Sequence, residues 1–415
     1  MVSNEKFWNS NFINKLKLRG SYGLVGNDAI GRSEDRFFYL SSVNLVNSDR
    51  GASFGYDNGY NRPGVSISRY PNLDITWEKS YQSNLAIELS LLRKFNIVAE
   101  VYQQQRKNIL MRRASIPTTM GLSVETQANV GEAKSRGVDL SLDYTQNFGK
   151  NLWVTARGSF TYARGEFSKY EEPEYAEKYL SHVGQSIGQT WGYIAERLFI
   201  DEKDVQNSPR QNFGLYQGGD IKYSDVNEDG QITSLDRVPV GNPTTPEITY
   251  GGGISAGYKN FDFSIFMQGL ARESFWIDPW ATAPFVNYDG GNINGGRVGE
   301  NALLQAYADN HWSEENRNIY AIWPRLSVTP INNNNQTSTW FMRDGSFLRV
   351  KTLEAGYTLP KKLLERYKIT NFRVYLSGTN LFTFSKFKLW DPEMGGNGLG
   401  YPVQKVVNLG INLNF

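Results

Sequence analysis

The sequence contains no cysteine, and its only histidines are His182 and His311, far apart along the chain. The first absence removes a disulfide framework, a thiolate metal site and a cysteine nucleophile. The second leaves any zinc centre or Ser-His-Asp relay resting on a lone imidazole with no motif around it, so both histidines read as ordinary loop residues. Charge of one sign is also missing. Lys plus Arg number 44 and Asp plus Glu 42, a formal net charge of +2, and the basic residues are scattered singly. Such a chain has no field to attract nucleic acid or anionic membrane and no nucleic-acid footprint. No run of about 18 apolar residues exists, which excludes a membrane-spanning helix. Met1-Val2-Ser3-Asn4-Glu5-Lys6 contains no apolar signal region, so the chain reads either as an internal protein or as one piece of a longer one. The carboxylate pairs Glu171-Glu172 and Glu314-Glu315 lie in polar stretches with no second acid–base element and read as solvated. The tract "GGNGLG" (395–400) lacks the following helix of a phosphate loop. Nothing in the sequence points to an enzyme.

What is present is alternation with a period of two. Leu85, Ile87, Leu89 and Leu91 interleave with Ala86, Glu88 and Ser90. The same pattern returns at 95–102, 138–144, 152–160, 248–258, 261–267, 372–377 and 407–415. Alternation sustained over so many segments means strands with one apolar and one polar face. A soluble sandwich turns the apolar face inward; an outer-membrane barrel turns it toward lipid. Strands of about ten residues or more suit a tilted bilayer crossing, and Glu88, Glu100, Asp139, Asp143, Arg157 and Arg373 on the opposite face suit a wet lumen. The predicted architecture is all-β, an antiparallel transmembrane barrel portion of about ten to twelve strands with long extracellular loops.

The connections support this reading. "RK" (93–94), "NFGKN" (147–151) and "KN" (259–260) are tight, whereas 114–132, 168–246, 272–338 and 386–402 are long. Barrels of this kind keep short turns on the periplasmic side and long loops outside. "LPKKLLERYKIT" (359–370) falls on the periplasmic side by parity, with Lys361 to Tyr367 as one or two helical turns. Segment 189–199 is either part of the outer rim or one arm of an extra hairpin. "NNNN" (332–335) and "GGNINGG" (290–296) read as polar loop tracts.

Within the loop 168–246 lies "DVNEDGQITSLD" (225–236). It matches the offsets of an EF-hand-type loop: Asp225, Asn227 and Asp229 at positions 1, 3 and 5, Gly230 for the sharp turn, Gln231 by its carbonyl at 7, and Asp236 at 12. Hard oxygen donors at these offsets predict Ca²⁺, and Ile232 supplies an apolar anchor. Three carboxylates facing one point would repel without a cation between them. Asp236 stands where such loops carry glutamate, and its shorter side chain would weaken the site. The flanks do not form a helix-loop-helix sensor, so the expected role is structural: a staple for a loop with no packed core of its own. The loop 272–338 carries Trp276, Trp280, Phe285, Tyr288, Trp312, Tyr320 and Trp323 among Asp, Asn and Gly. Aromatic faces beside polar groups suit sugar rings, which makes Trp276, Trp280, Tyr288, Trp312 and Trp323 candidate substrate contacts, or else a surface for a partner.

Taken in order, "LKLRGSYGLVGN" (16–27), "NLDITWEKSYQSNLAIELSLL" (72–92), "RKNILM" (106–111), "VGEAKSRGVDLSLDY" (130–144), "SFLRVKTLEAGYTLPKKLL" (346–364), "VYLSGTNLFTFS" (374–385), "WDPE" (390–393) and "YPVQKVVNLGINLNF" (401–415) resemble the final part of SusC/RagA-type TonB-dependent transporters of Bacteroidetes outer membranes. The resemblance runs over nearly the whole chain and is weakest in 272–335. It implies the C-terminal half of a barrel of about 22 strands, with residues 1–415 a partial receptor barrel whose plug domain, TonB-contacting segment and first strands are absent. If the chain folds alone, it must close a smaller barrel, since lipid does not tolerate open edges. It further implies uptake of oligosaccharides or similar large nutrients, such as peptides, with a SusD-like surface lipoprotein. The other implied partners are the TonB complex through the absent N-terminal part, outer-membrane lipid, and the barrel-insertion machinery reading the C-terminal Ile411, Leu413 and Phe415. The competing reading is a soluble or surface β-rich carbohydrate-binding protein or adhesin without transport.

Overall fold

The computed structural model describes residues 1–28, 37–285, 301–396 and 398–415; Tyr288 and the tract "GGNINGG" lie outside them. Ten strands form one sheet in chain order: β1 (Ile13–Asn27), β2 (Glu78–Leu91), β3 (Phe95–Arg112), β4 (Gln127–Phe148), β5 (Leu152–Lys169), β6 (Ile248–Tyr258), β7 (Phe261–Ala271), β8 (Phe347–Thr358), β9 (Asn371–Ser385) and β10 (Val406–Asn414). Every pair is antiparallel. Among the described residues no ladder joins β1 to β10. Among the described residues the sheet is therefore an open, partial barrel wall and not the smaller closed barrel expected of a chain that folds alone.

Register explains the alternation. Ile87, Ala99, Leu140, Phe160 and Tyr250 stand opposite one another in a single row across β2 to β6. The next row, displaced by one residue, holds Ala86, Glu100, Asp139, Thr161 and Thr249. Because successive side chains point to opposite faces, one face of the wall is apolar and the other polar. The apolar face has no protein cover: Leu85 is 59% exposed, Ile254 52%, Leu376 52% and Leu409 76%. A soluble sandwich would bury these residues, so an apolar solvent must take their place. Aromatic rings edge the band at the short-turn end, where Phe95 meets Tyr144 at 4.5 Å and Phe261 meets Tyr357 at 4.6 Å.

The polar face is crossed by ion pairs. Glu88 on β2 takes Lys15, Lys17 and Arg19 of β1 at 3.0, 3.2 and 3.0 Å. On the far side, Arg373 of β9 holds both Asp262 of β7 and Glu354 of β8.

The turns fall as expected. Leu92 and Arg93 both take positive φ, 52° and 56°, in the tight β2–β3 turn, the backbone hand that matches strand twist. The β8–β9 connection contains the expected helical turns, α-helical at Lys361–Leu364 and 3-10 at Glu365–Tyr367. Segment 189–199 belongs to the outer rim: Thr190–Gly192 pairs with Val238–Val240, and Ala195–Leu198 with Ile221–Tyr223. Two boundaries shift. Residues 127–132, read as loop, extend β4 upward, and the connection between β1 and β2 contains a hairpin, Ser42–Phe54 with Tyr60–Arg69, that the sequence reading did not identify.

Candidate functional site

The long loops condense into a body with its own core. Tyr193, Leu198, Ile221, Tyr223 and Ile232 come from the β5–β6 loop; Phe275, Ile277, Tyr307, Trp312, Trp323 and Phe341 come from the β7–β8 loop; Phe387 comes from the β9–β10 loop. This corrects the expectation of a loop lacking a packed core. The physical reason is solvent: chain ordered in water must offset its lost conformational entropy by burying apolar surface. It also corrects part of the substrate reading. Trp312 is 4% exposed and Trp323 6%, with Trp323 stacked on Tyr307 at 4.3 Å. They are core residues with no free face for a sugar. Trp276 is half-buried and donates its indole N–H to the Ser338 carbonyl at 2.9 Å.

Polar stitching fixes this body. Asp220, fully buried, accepts from the Asn334 amide at 2.9 Å and lies 2.8 Å from Arg325 Nε. Burial pushes its carboxyl above the usual range, with Arg325 and Asn334 opposing the shift. Gln211 donates to the Ile221 carbonyl and to Asn333 Oδ1, and accepts the Tyr223 N–H. The Tyr223 hydroxyl, raised by burial, donates to the Asn333 carbonyl at 2.7 Å. The "NNNN" tract is thus the clamp between two loops.

The segment 225–236 folds as a tight loop with Gly230 at φ 84°, and its apolar anchor Ile232 is fully buried and paired to Gln211. Its charges are met from within. Asp225 accepts N–H groups of Asp229 and Gly230 at 3.3 and 2.7 Å. Asp229 accepts the Gln231 N–H at 2.8 Å and the Asn227 amide at 3.1 Å. Asp236, fully buried, takes the N–H of Val226 at 2.8 Å on one oxygen and that of Thr233 at 2.7 Å on the other. Backbone N–H groups thus donate to each of the three carboxylates and offset part of their mutual repulsion. The fit to a calcium ion is partial. Asp225, Asn227 and Asp229 gather oxygens at one turn, but Asp236 is committed to closing the loop. Among the described residues no three acidic or imidazole side chains cluster at metal-binding distance. The Gln231 side-chain Oε1 accepts from the Asn212 amide at 3.1 Å, which leaves its main-chain carbonyl, the expected donor, uninvolved in that bond.

Several concavities among the described residues indent the loop body. A crevice lined by Trp280, Trp323, Pro324 and Asn334 offers only about 20 Å³, room for one water. A groove of about 520 Å³ lies beside the 225–236 loop, lined by Tyr175, Leu180, His182, Gln189, Trp191, Ser234, Leu235 and Arg237; that size suits a ligand of several rings or residues. His182 is sandwiched there between Tyr170 at 4.7 Å and Trp191 at 4.2 Å. Its Nδ1 lies 2.9 Å from Glu172 Oε2. Burial raises the Glu172 carboxyl, but bonds from Ser181 and His182 outweigh it and hold the group below its usual range. The sequence reading assigned His182 to an ordinary loop and Glu171-Glu172 to solvent; in the structure Glu171 pairs with Arg113 at 2.7 Å and Glu172 with His182. Only the spacing Glu172…His182 within an aromatic stretch could have hinted at the pair. Arg349 was missed as well: it is 1% exposed and holds Asp391 at 2.5 Å and Glu393 at 3.1 Å in "WDPE", tying the last loop to β8.

The C-terminal residues stand on the lipid side, with Leu409, Ile411 and Leu413 on β10 opposite Leu376, Val374 and Phe372. Comparison with known proteins agrees with this architecture. Residues 10–381 match the family described as TonB dependent receptor-like, beta-barrel. TonB-dependent receptor P26 of Formosa agariphila is 28% identical over the whole chain, which spans 41% of that protein. TonB-dependent receptor SusC of Bacteroides thetaiotaomicron is 24% identical over 98% of the chain, which spans 38% of it. The structure of the RagAB peptide transporter superposes over the whole chain with a TM-score of 0.69 at 25% identity, covering 42% of the matched chain. The chain thus spans about two fifths of the length of these relatives. With its wall, its outward apolar band and its loop body accounted for, the chain belongs to the TonB-dependent receptor barrel family, in its SusC/RagA-type branch, and is a protein of the outer membrane.

Proposed function

We propose that the chain serves nutrient import across the outer membrane, as part of a TonB-dependent transporter that works with a SusD-like lipoprotein. The cargo class is an oligosaccharide or a nutrient of similar size; peptides are included because the RagAB relative is a peptide transporter. The observation that carries the reading is the groove of about 520 Å³ at the extracellular mouth, with the Trp191 and Tyr175 rings beside Gln189 and Arg237. Aromatic faces next to amide and guanidinium donors suit a polar chain ligand better than a hydrophobic one. The uncovered apolar band argues against a soluble adhesin. A calcium ion at the 225–236 loop belongs to this reading: it would rest on Asp225, Asn227 and Asp229, with Asp236 as the frame, and would stiffen the segment that borders the groove. The test is uptake by cells making the full-length protein with Trp191→Ala and His182→Gln together, against a panel of oligosaccharides and peptides. Uptake should fall several-fold for one cargo class and stop on collapse of the inner-membrane proton gradient. Uptake indifferent to both the gradient and the gene would overturn it.

A further inference from the structure

Above the apolar band, the lipid-side face of β2 to β5 changes character. Rows that hold Leu85, Val101, Val138 and Tyr162 at the band's upper edge continue into Lys79, Lys107, Lys134, Arg136 and Arg164 on the same face, since each is removed from them by an even number of residues. Two cross-strand pairs there join like charges. Lys79 stands directly opposite Lys107, and Arg136 directly opposite Arg164. Like charges in directly opposite positions destabilise a sheet, and the local acids do not balance them. Glu166 is held by Lys134 at 2.8 Å, and it lies 3.8 Å from Arg164. Glu247 lies 3.9 Å from Arg164 and is bound at 2.6 Å by Arg272. Glu132 faces Lys107 on one side and Lys169 on the other. Among the described residues Lys79, Lys107 and Arg136 make no ion pair, and Arg164 Nε is enclosed without a hydrogen-bond acceptor.

The height of this patch says what it meets. From Tyr144 in the lower aromatic edge up to Arg136, β4 rises about 27 Å along its axis at roughly 3.4 Å per residue, or about 20 Å vertically at a tilt near 40°. That is close to the apolar thickness of an outer-membrane barrel, about 25 Å. Arg136 and Arg164 therefore stand close to the lipid headgroups at the long-loop end of the wall, and Lys79 and Lys107, in the row of Glu132 four residues further along, stand about 10 Å higher. We infer that Lys79, Lys107, Arg136 and Arg164 form a binding site for a phosphate-bearing lipid headgroup of the outer leaflet. A phosphate monoester bridging Arg136 and Arg164 accepts from the outward N–H groups of both guanidinium groups and turns a repulsive pair into a shared contact.

The test reconstitutes the full-length transporter in phosphatidylcholine nanodiscs containing lipid A, either phosphorylated or enzymatically dephosphorylated, and counts retained lipid by native mass spectrometry. Phosphorylated lipid A should be enriched, and Arg136→Gln with Arg164→Gln should lower the enrichment about fivefold for each cation removed. Arg136→Lys should keep most of it, and Arg157→Gln on the lumen face should leave it unchanged; heat-modifiable migration checks that each variant is folded. Equal retention of both lipids, or a double variant indistinguishable from the parent, overturns the inference. So does full displacement by millimolar inorganic phosphate, which would mark a small-anion site instead.

Discussion

The wall and the loop body solve one problem in two solvents. Leu409 on the wall is 76% exposed and belongs there, while Trp323 in the loops is 6% exposed and would be costly to uncover. The wall needs no interior, because its ladders satisfy the backbone between its two edge strands and lipid accepts its apolar face. The loop body stands in water and carries a core like that of a small soluble domain. Its polar groups follow the same division: on the wall they line a wet lumen, whereas in the body Asp220, Asn333 and Gln211 are buried and satisfied by one another.

If the two regions are energetically separate, Trp323→Ala should act on one alone. Truncating a buried, stacked tryptophan costs about 3–5 kcal/mol, so limited proteolysis should open 190–340 while heat-modifiable migration stays that of the parent. Melting of the wall alongside would break the division. The reciprocal change is Leu409→Arg, which near the bilayer midplane should cost about 2–4 kcal/mol in urea-titrated folding, with Asn412→Arg on the lumen face costing much less; equal tolerance would put lipid on the wrong side. Asp236→Asn keeps one acceptor oxygen and turns an NH2 donor toward the other backbone N–H groups, a loss of about 1–2 kcal/mol, and hydrogen exchange should rise within the set Val226, Asn227 and Thr233 and nowhere else. In the same assay, added Ca²⁺ should slow proteolysis of 200–245 in the parent and not in Asp229→Ala; an unresponsive parent would leave a self-sufficient polar turn.

The smallest effect is a pH effect. Arg197 holds the Asp204 carboxyl down to about 2. A folded value below the unfolded one, near 3.9, means the link contributes fully above about pH 4 and is lost as pH falls toward 2. Exchange at 197–206 should quicken over that window, and Asp204→Asn should abolish the dependence.

The wall was legible in the sequence because its strands report their environment residue by residue. Ile248 to Tyr258 alternates cleanly, and β6 has those limits. The loop body was not, because its core is assembled from residues far apart in the chain. Tyr193, Trp312 and Phe387 carry no common period. Tryptophans in polar company looked like ligand contacts, and only three-dimensional packing distinguishes an aromatic that stacks on Tyr307 from one that waits for a sugar. The 225–236 loop shows the limit of motif reading in another way. Donor spacing placed the turn and its anchor correctly, but it could not say that Asp236 would spend both oxygens on backbone N–H groups.

The strand order has a kinetic side. Within the ten-stranded wall every strand pairs with the wall strand before and after it in the chain, so β2–β3, β4–β5, β6–β7 and β8–β9 can each form as a hairpin across a short connection, whereas β5–β6 and β7–β8 must wait on residues 170–247 and 272–346. Chain-closure entropy grows only by about 0.6 kcal/mol per doubling of loop length, so these late unions are slower by a modest factor and not forbidden. The four hairpins are then the natural units of insertion, and the loop body, which needs residues from three separate connections, condenses last, after the hairpins that carry it have found one another.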